Sequence, residues 1–395
     1  MVPKGWEVLH LKDVASKIQD GNYGADYPKA DEFVASGIPF LTSKVIGGIG
    51  TINPDKFDYI KEEKHQSLKK AQIVAGDILF TNRGANVGTI AIVPDYIATA
   101  NIGPQLTLVR CNDCILKEYL FQFLRGSFFQ KQIQQRDSGS AMNFFGIKDT
   151  ERFKVLVPSL SEQKRIAQIL STWDKAISVT EKLLANSQQQ KKALIQQLLT
   201  GKKRLLDENG VRFSGEWVYL TFDNAFIVAN KKSTQVKSSD YLQSGSIPII
   251  DQGQSRIAGY CNNLEVYSDV PVIVFGDHTR CVKWIEFVFC PGADGTQVIK
   301  TSKILEPKLG YYLLSNTDIP NLGYSRHMRE LKEKDFRLPL DIKEQQKIAA
   351  VLSAADAEIS TLEKKLACLR DEKKALMQQL LTGKRRVKVD EAVAE

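Results

Sequence analysis

KKALIQQLLTGKKR at Lys191–Arg204 returns as KKALMQQLLTGKRR at Lys373–Arg386. The likeness extends backwards from these blocks without a gap. Residues 162–204 align with 344–386 at a constant offset of 182, and 25 of the 43 positions are identical. Chance would give about two or three at ordinary amino-acid frequencies, so the chain contains a true internal duplication. Each copy opens with Glu-Gln (Glu162-Gln163, Glu344-Gln345) shortly after a proline, Pro158 or Pro339. Neither has an internal Pro or Gly, and both are rich in Gln, Lys, Leu and Ala, which predicts two long helices.

Steps of four and three from Ile348 reach Leu352, Ala355, Ile359, Leu362, Leu366, Leu369, Lys373, Leu376 and Leu380, so nine of ten positions are apolar. From Ile166 the same steps give Leu170, Trp173, Ile177, Thr180, Leu184, Ser187, Lys191, Leu194 and Leu198, with seven apolar. A sustained period of 3.5 is a coiled-coil seam. A single such helix could equally lie on its own globule, but two matched seams in one chain predict that the helices pack on each other. Ser161 with Lys164 is the expected N-cap of the first copy. Thr-Gly followed by cations (Gly201–Arg204, Gly383–Arg386) is the expected C-cap, with positive charge on the negative helix pole. If the termini of the intervening globule lie close together, the helices run antiparallel. The globules then sit at the ends of a rod about 48 Å long at 1.5 Å per residue.

The globules, 1–157 and 205–338, share landmarks in the same order. Each starts with a tryptophan and alternating apolar residues (Trp6, Val8, Leu11; Trp217, Leu220, Phe222), and each then has Ile-Pro before apolar residues (Ile38-Pro39, Ile247-Pro248). A short strand leads into a polar loop in ILFTNRGANVG (Ile78–Gly88) and VIVFGDHTRC (Val272–Cys281). A helical stretch, a second polar loop and a strand returning to proline close each globule, in Ser138–Pro158 and Gly323–Pro339. Short strands bounded by Gly, Asn and Asp, with one or two helices, predict an α+β fold for each.

Composition limits what such a chain can be. At 395 residues, 43% hydrophobic and 25% charged, it is neither disordered nor fibrous, and no stretch is long and apolar enough for a membrane span. The expected location is the cytoplasm, where the six cysteines remain thiols. Cys111-Asn112-Asp113-Cys114 has half the spacing of a zinc site, but no second pair accompanies it, so no metal is expected. The formal charge of +8 is unevenly spread: +2 over 1–160, +6 over 161–204, −2 over 205–342, +5 over 343–388 and −3 over the tail. The excess therefore lies in the two helical segments.

A Glu-Gln helix start after a proline, a long helix ending in Leu-Leu-Thr-Gly-Lys, and a Trp-opening globule before each helix together resemble the specificity subunit of type I restriction-modification systems. The resemblance covers essentially the whole chain. It implies two globular α/β target-recognition domains separated by two long antiparallel coiled-coil helices, arranged as a pseudo-twofold internal repeat. The expected boundaries are 1–157 and 205–338 for the recognition domains, 158–204 and 339–388 for the helices, and 389–395 for an acidic tail. It further implies double-stranded DNA as ligand, two methyltransferase subunits held by the helices, and restriction translocase/nuclease subunits as further partners. S-adenosylmethionine, ATP and Mg would then be used by the partner subunits, with no cofactor in this chain.

A reader of base edges needs Arg or Lys for guanine and Asn or Gln for adenine, with hydroxyls and amides on phosphates. The first globule offers Asn82, Arg83 and Asn86, and Ser138, Ser140 and Asn143. The second offers Gln252, Gln254 and Arg256, then His278 and Arg280, then Tyr324, Arg326, His327 and Arg329. The last group is the most concentrated. No catalytic pattern emerges: there is no GxxxxGK[ST] loop, Gly47-Gly48-Ile49-Gly50 lacks the third glycine of a dinucleotide fingerprint, and no amino-methyltransferase motif, GxSxG or HExxH occurs. His65, His278 and His327 are isolated, and Asp77 and Asp277 read as turn formers. The expected role is non-catalytic. Two other readings fit the same pattern: a two-headed DNA-binding regulator acting alone, and a coiled-coil adaptor whose globules bind proteins. For a DNA reader of this build, half-site centres about 34 Å apart are expected, one helical turn of the duplex.

Overall fold

The repeat folds into two 39-residue helices, Leu160–Leu198 and Ile342–Leu380. The computed structural model describes residues 2–137, 144–321, 323 and 325–388. All twenty seam positions named above are buried or half-buried. The first helix starts two residues earlier than expected. Ser159, not Ser161, receives the backbone N–H of Glu162, at 3.4 Å, because only a residue just ahead of Leu160 can reach the unpaired amides of the first turn. In the second copy the Asp341 carboxylate accepts the Lys343 N–H at 2.8 Å. At the other ends, Gly201 (φ +68°) and Gly383 (φ +67°) adopt the left-handed conformation that reverses the chain. Lys203 and Arg385 can then donate backbone N–H groups back to the carbonyls of Gln197 and Gln379, at 3.1 Å each.

The chain divides into two units, Met1–Glu181 with Lys364–Glu395, and Lys182–Glu363. Each unit holds one globule and half of each long helix, so the boundary expected at 157/158 passes through elements that pack together. In the first unit the N-terminal strand Glu7–His10 pairs antiparallel with Lys154–Val157, and Ile166, Ala167 and Leu170 of the helix share a core with Trp6, Phe80, Phe123 and Phe153. A four-stranded antiparallel sheet has the spatial order Ala15–Asp20, Leu106–Cys111, Ile78–Thr81, Ile90–Ile92. A five-stranded mixed sheet is built around Ile38–Leu41, which pairs parallel with Ala100–Ile102.

The second unit repeats this plan. Trp217–Thr221 pairs antiparallel with Asp335–Pro339. The four-stranded sheet runs Phe226–Val228, Thr296–Thr301, Val272–Gly276, Val282–Ile285. Ile247–Ile250, the second Ile-Pro strand, again pairs parallel with a neighbour, Cys290–Pro291. The landmarks read from the sequence are therefore topological equivalents. Ile249, Phe275 and Ile299 are wholly buried, as are Phe40, Leu79 and Leu108 in the first unit.

Within each unit the two helical halves run antiparallel, which the ion pairs make explicit. Glu162, Asp174 and Glu181 meet Arg386, Lys373 and Arg370, in that descending order. In the second unit Ser187, Lys191 and Arg204 meet Glu358, Asp356 and Glu344. The pairs Asp174–Lys373 and Asp356–Lys191 are related by the offset of 182, as are Glu162–Arg386 and Glu344–Arg204. The lysines that interrupted the apolar seam thus each bond a carboxylate. Lys373 is buried, and its pKa is held below the usual value, first by burial and then by neighbouring Arg125, with Asp174 opposing. A charged residue at one seam position fixes register at some cost in stability.

The Glu-Gln pair that opens each helix has a structural task. Gln163 donates to the carbonyls of Cys114 and Pro158 at 3.1 and 3.0 Å and accepts the Leu116 N–H at 2.8 Å. Gln345 does the same with Ile304, Pro339 and Glu306, at 2.9, 2.8 and 2.8 Å. Each wholly buried amide so stitches helix start, strand end and loop together. Beside it the glutamate takes a two-pronged grip from an arginine. Arg204 Nε and Nη2 reach Glu344 at 2.5 and 2.7 Å, and Arg386 reaches Glu162 at 2.7 and 2.8 Å. The terminal arginine of each basic cluster therefore serves the start of the other helix rather than only its own negative pole.

Candidate nucleic-acid interface

Register decides which loops converge. In the first unit Asp20 lies opposite Thr107 and Thr81 opposite Leu106, so the loops leaving Asp20 and Thr81 and the turn entering Leu106 share one end of the four-stranded sheet. In the second unit Gly276 lies opposite Thr296, and Val228 opposite Ile299. The equivalent three loops share the equivalent end. A fourth segment joins them in each unit, the one that precedes a short helix (Ile147–Glu151, Met328–Lys332). Asn82 accepts the Phe145 N–H on its backbone carbonyl at 2.9 Å, and Asp277 accepts the His327 N–H at 2.8 Å. The two globules, unlike in loop sequence, clasp the same pair of loops by the same backbone bond.

In the first unit the residues at this edge form a chain of hydrogen bonds. The Asn82 side chain is wholly buried; its Nδ2 donates to Thr107 Oγ1 at 2.9 Å and Asp20 Oδ1 at 3.3 Å, and its Oδ1 accepts from Arg83 Nε at 3.2 Å. Thr107 donates to Asp20 at 2.5 Å. Burial pushes the Asp20 pKa up, while the bonds from Thr107 and Asn82 oppose the rise. The Arg83 guanidinium lies over the ring of Phe144, 4.4 Å from its centroid. Gly21 lets the strand end approach Gly103 so closely that a Cβ would stand 2.1 Å from the Gly103 carbonyl oxygen.

The second unit reaches a similar end by other means. Gln252 accepts the His278 N–H at 3.1 Å on its side chain and the Thr279 hydroxyl on its carbonyl. Lys283, largely buried, donates to the carbonyls of Asp251 and Ser255 at 2.7 Å each, which holds the 251–256 loop to the sheet. Burial lowers its pKa, with Asp251 opposing. Arg280 sits at φ +59° and donates to the Ile319 carbonyl at 2.8 Å. Asp277 accepts the Met328 N–H at 2.7 Å on its carboxylate, and Asp77 holds Arg110 through two bonds of 2.8 Å. Both aspartates thus do more than form turns.

Of the residues expected to read DNA, Asn86, Gln254, Arg256, Arg326 and Arg329 are exposed, and Arg83, Gln252, His278 and Arg280 are half-buried. Asn82 and His327 are corrected. Both are wholly buried, Asn82 with its amide engaged on both sides and His327 with Nδ1 2.9 Å from the Asp277 carbonyl oxygen, so neither can present a polar edge to a groove. Ser138, Ser140, Asn143 and Tyr324 lie outside the described residues. Sequence reasoning missed Asp20, Thr107, Phe144 and Lys283, which hold these loops in place from other parts of the chain. His65, isolated in sequence, is an interior residue whose Nδ1 meets Asn101 Oδ1 at 2.5 Å.

Comparison with known proteins agrees with this architecture. The family model of the type I restriction modification DNA specificity domain matches residues 3–186. A chain provisionally named the MjaX specificity subunit of a type I restriction enzyme, from Methanocaldococcus jannaschii, is 27% identical over 98% of this chain and 95% of its own length. The EcoR124I/EcoR124II specificity subunit of Escherichia coli is 30% identical over 24% of each chain. In fold, the S subunit of a type I restriction-modification system from M. genitalium superposes with a TM-score of 0.64 over 96% of both chains at 13% identity. Another solved chain from a type I system gives 0.54 over 98% of this chain and 100% of its own at 18% identity. Over nearly its whole length the chain is thus similar to the specificity subunits of type I restriction-modification systems, and its residues 3–186 match their DNA specificity domain.

Proposed function

We propose that each unit reads one half of a split, asymmetric DNA site through the loops at the end of its four-stranded sheet, while the long helices hold methyltransferase subunits. The observation that carries this reading is the clasped loop pair, placed alike in both units yet carrying different side chains: Arg83 and Asn86 in one, His278 and Arg326 in the other. Equivalent placement supplies two readers, and different side chains give them different half-sites. On this reading the chain itself performs no chemistry. Methyl transfer with S-adenosylmethionine, and any cleavage with ATP and Mg, belong to partner subunits, including restriction translocase/nuclease subunits where present. The complex would work in the cytoplasm, where its DNA is; among the described residues no helix is long and apolar enough to cross a membrane.

Gel-shift titrations of the full chain, alone and with a methyltransferase subunit, separate the readings. A specificity subunit discriminates its site from random DNA strongly only with the partner. A regulator does so alone, and an adaptor never does. The purified chain by itself is expected to transfer no methyl group, hydrolyse no ATP and cut no DNA. Stoichiometric binding of S-adenosylmethionine to the chain alone would overturn the division of labour.

A further inference from the structure

Among the loop residues of the first unit, Arg83 is held unlike a surface arginine. Its Nε is committed to Asn82 Oδ1 at 3.2 Å, its plane lies over Phe144 at 4.4 Å, and its backbone bridges Phe144 in antiparallel fashion. Among the described residues its two terminal nitrogens have no hydrogen-bond partner. The group that pins it is itself pinned: Asn82 is fixed by Thr107 and Asp20 through its amide nitrogen and by Gln105 and Phe145 through its backbone. An arginine ordinarily surrenders about 2 kcal/mol of rotamer entropy when it is fixed, and here much of that loss precedes binding. With Nε occupied and one face stacked, the edge left for a ligand is the pair of terminal NH2 groups. That fork matches two acceptors side by side, the N7 and O6 of guanine in the major groove.

Resting on the proposed DNA-reading role, we infer that Arg83 specifies a guanine in the half-site read by the first unit, and that Asn82, Asp20 and Thr107 are positioning residues for it. A phosphate can accept the same fork, but a phosphate contact carries no sequence preference, so base preference at a single position is what separates the two. In the second unit the residue that follows the clasping backbone carbonyl is His278, with Nδ1 3.2 Å from the Ser325 carbonyl oxygen. The same seat therefore carries a different reader, and the two half-sites differ at the corresponding base.

The test is the methylation pattern of the assembled methyltransferase complex on a library with a randomised target, comparing the wild-type chain with Arg83→Ala, Arg83→Lys and Asp20→Asn. The wild-type complex should specify guanine at one position whose preference falls about 5- to 150-fold with Arg83→Ala, corresponding to the 1–3 kcal/mol of a bidentate contact at 1.4 kcal/mol per tenfold. Every other specified position should keep its base. Arg83→Lys should lose the same preference, since it restores charge without the fork, and Asp20→Asn should relax that position and no other. A uniform loss of methylation with the guanine retained in Arg83→Ala would overturn the assignment in favour of a backbone contact. An unchanged pattern in Asp20→Asn would overturn the positioning network. If the wild-type complex itself methylates without sequence preference, it is the proposed function that fails.

Discussion

Arg204→Ala is expected to destabilise the unit Lys182–Glu363 by about 3 to 5 kcal/mol, the cost of leaving a buried carboxylate without its partner. Glu344, the residue left behind, is wholly buried and receives both Nε and Nη2 of Arg204. Arg204 also bonds the Gly215 carbonyl at 2.9 Å and lies over the Trp217 ring. The loss should therefore loosen the start of Ile342–Leu380 and the entry to the globule together. Arg386→Ala, the mate at the offset of 182, should cost less, because the Arg386 side chain is 45% exposed against 21% for Arg204, and water can solvate what it leaves. Urea unfolding of the full chain, followed by hydrogen exchange to locate the unit that opens, measures both. Equal small losses, under about 1 kcal/mol, would mean that the grip behaves as a surface pair.

Leu170→Ala should remove about 2 to 5 kcal/mol from the first unit, by lost transfer energy and the cavity left behind. Leu170 is wholly buried and belongs to the core that joins Phe123 and Phe153 of the globule to Leu380 of the other long helix. The same deletion therefore weakens helix pairing and globule docking at once. Gln189→Ala, on the exposed side of Leu160–Leu198, should move the midpoint by no more than about 0.5 kcal/mol. A Leu170→Ala protein as stable as wild type would show that the seam read from the 3.5-residue period does not carry the packing.

Much of this was legible because the governing signals are local or repeated. The seam from Ile166 to Leu198 depends on spacing alone, and the duplication doubled the signal. The Ile-Pro strands and the strand-to-loop passages at Thr81 and Gly276 found their places for the same reason. The site was less legible. Asn82 and Arg83 look alike in sequence as loop polars, yet one is interior and the other outward, and the difference is set by Asp20 and Thr107, 62 and 25 positions away. Lys283 is a strand residue whose partners, Asp251 and Ser255, lie across a loop. Pairings at such separations depend on sheet register, which no period in one sequence records. The cap at Ser159 was misplaced by two residues because boundary residues carry the weakest signal of any in a helix.

The central claim, that two clasped loop pairs read two halves of one site independently, is tested most directly by methylome sequencing of cells carrying this chain together with the proposed methyltransferase partner. The account predicts an asymmetric motif of two specified half-sites around an unspecified spacer. Substituting Arg83 should change only one half, and substituting Arg326 only the other. A contiguous motif, or a substitution in either unit that alters both halves together, would contradict it.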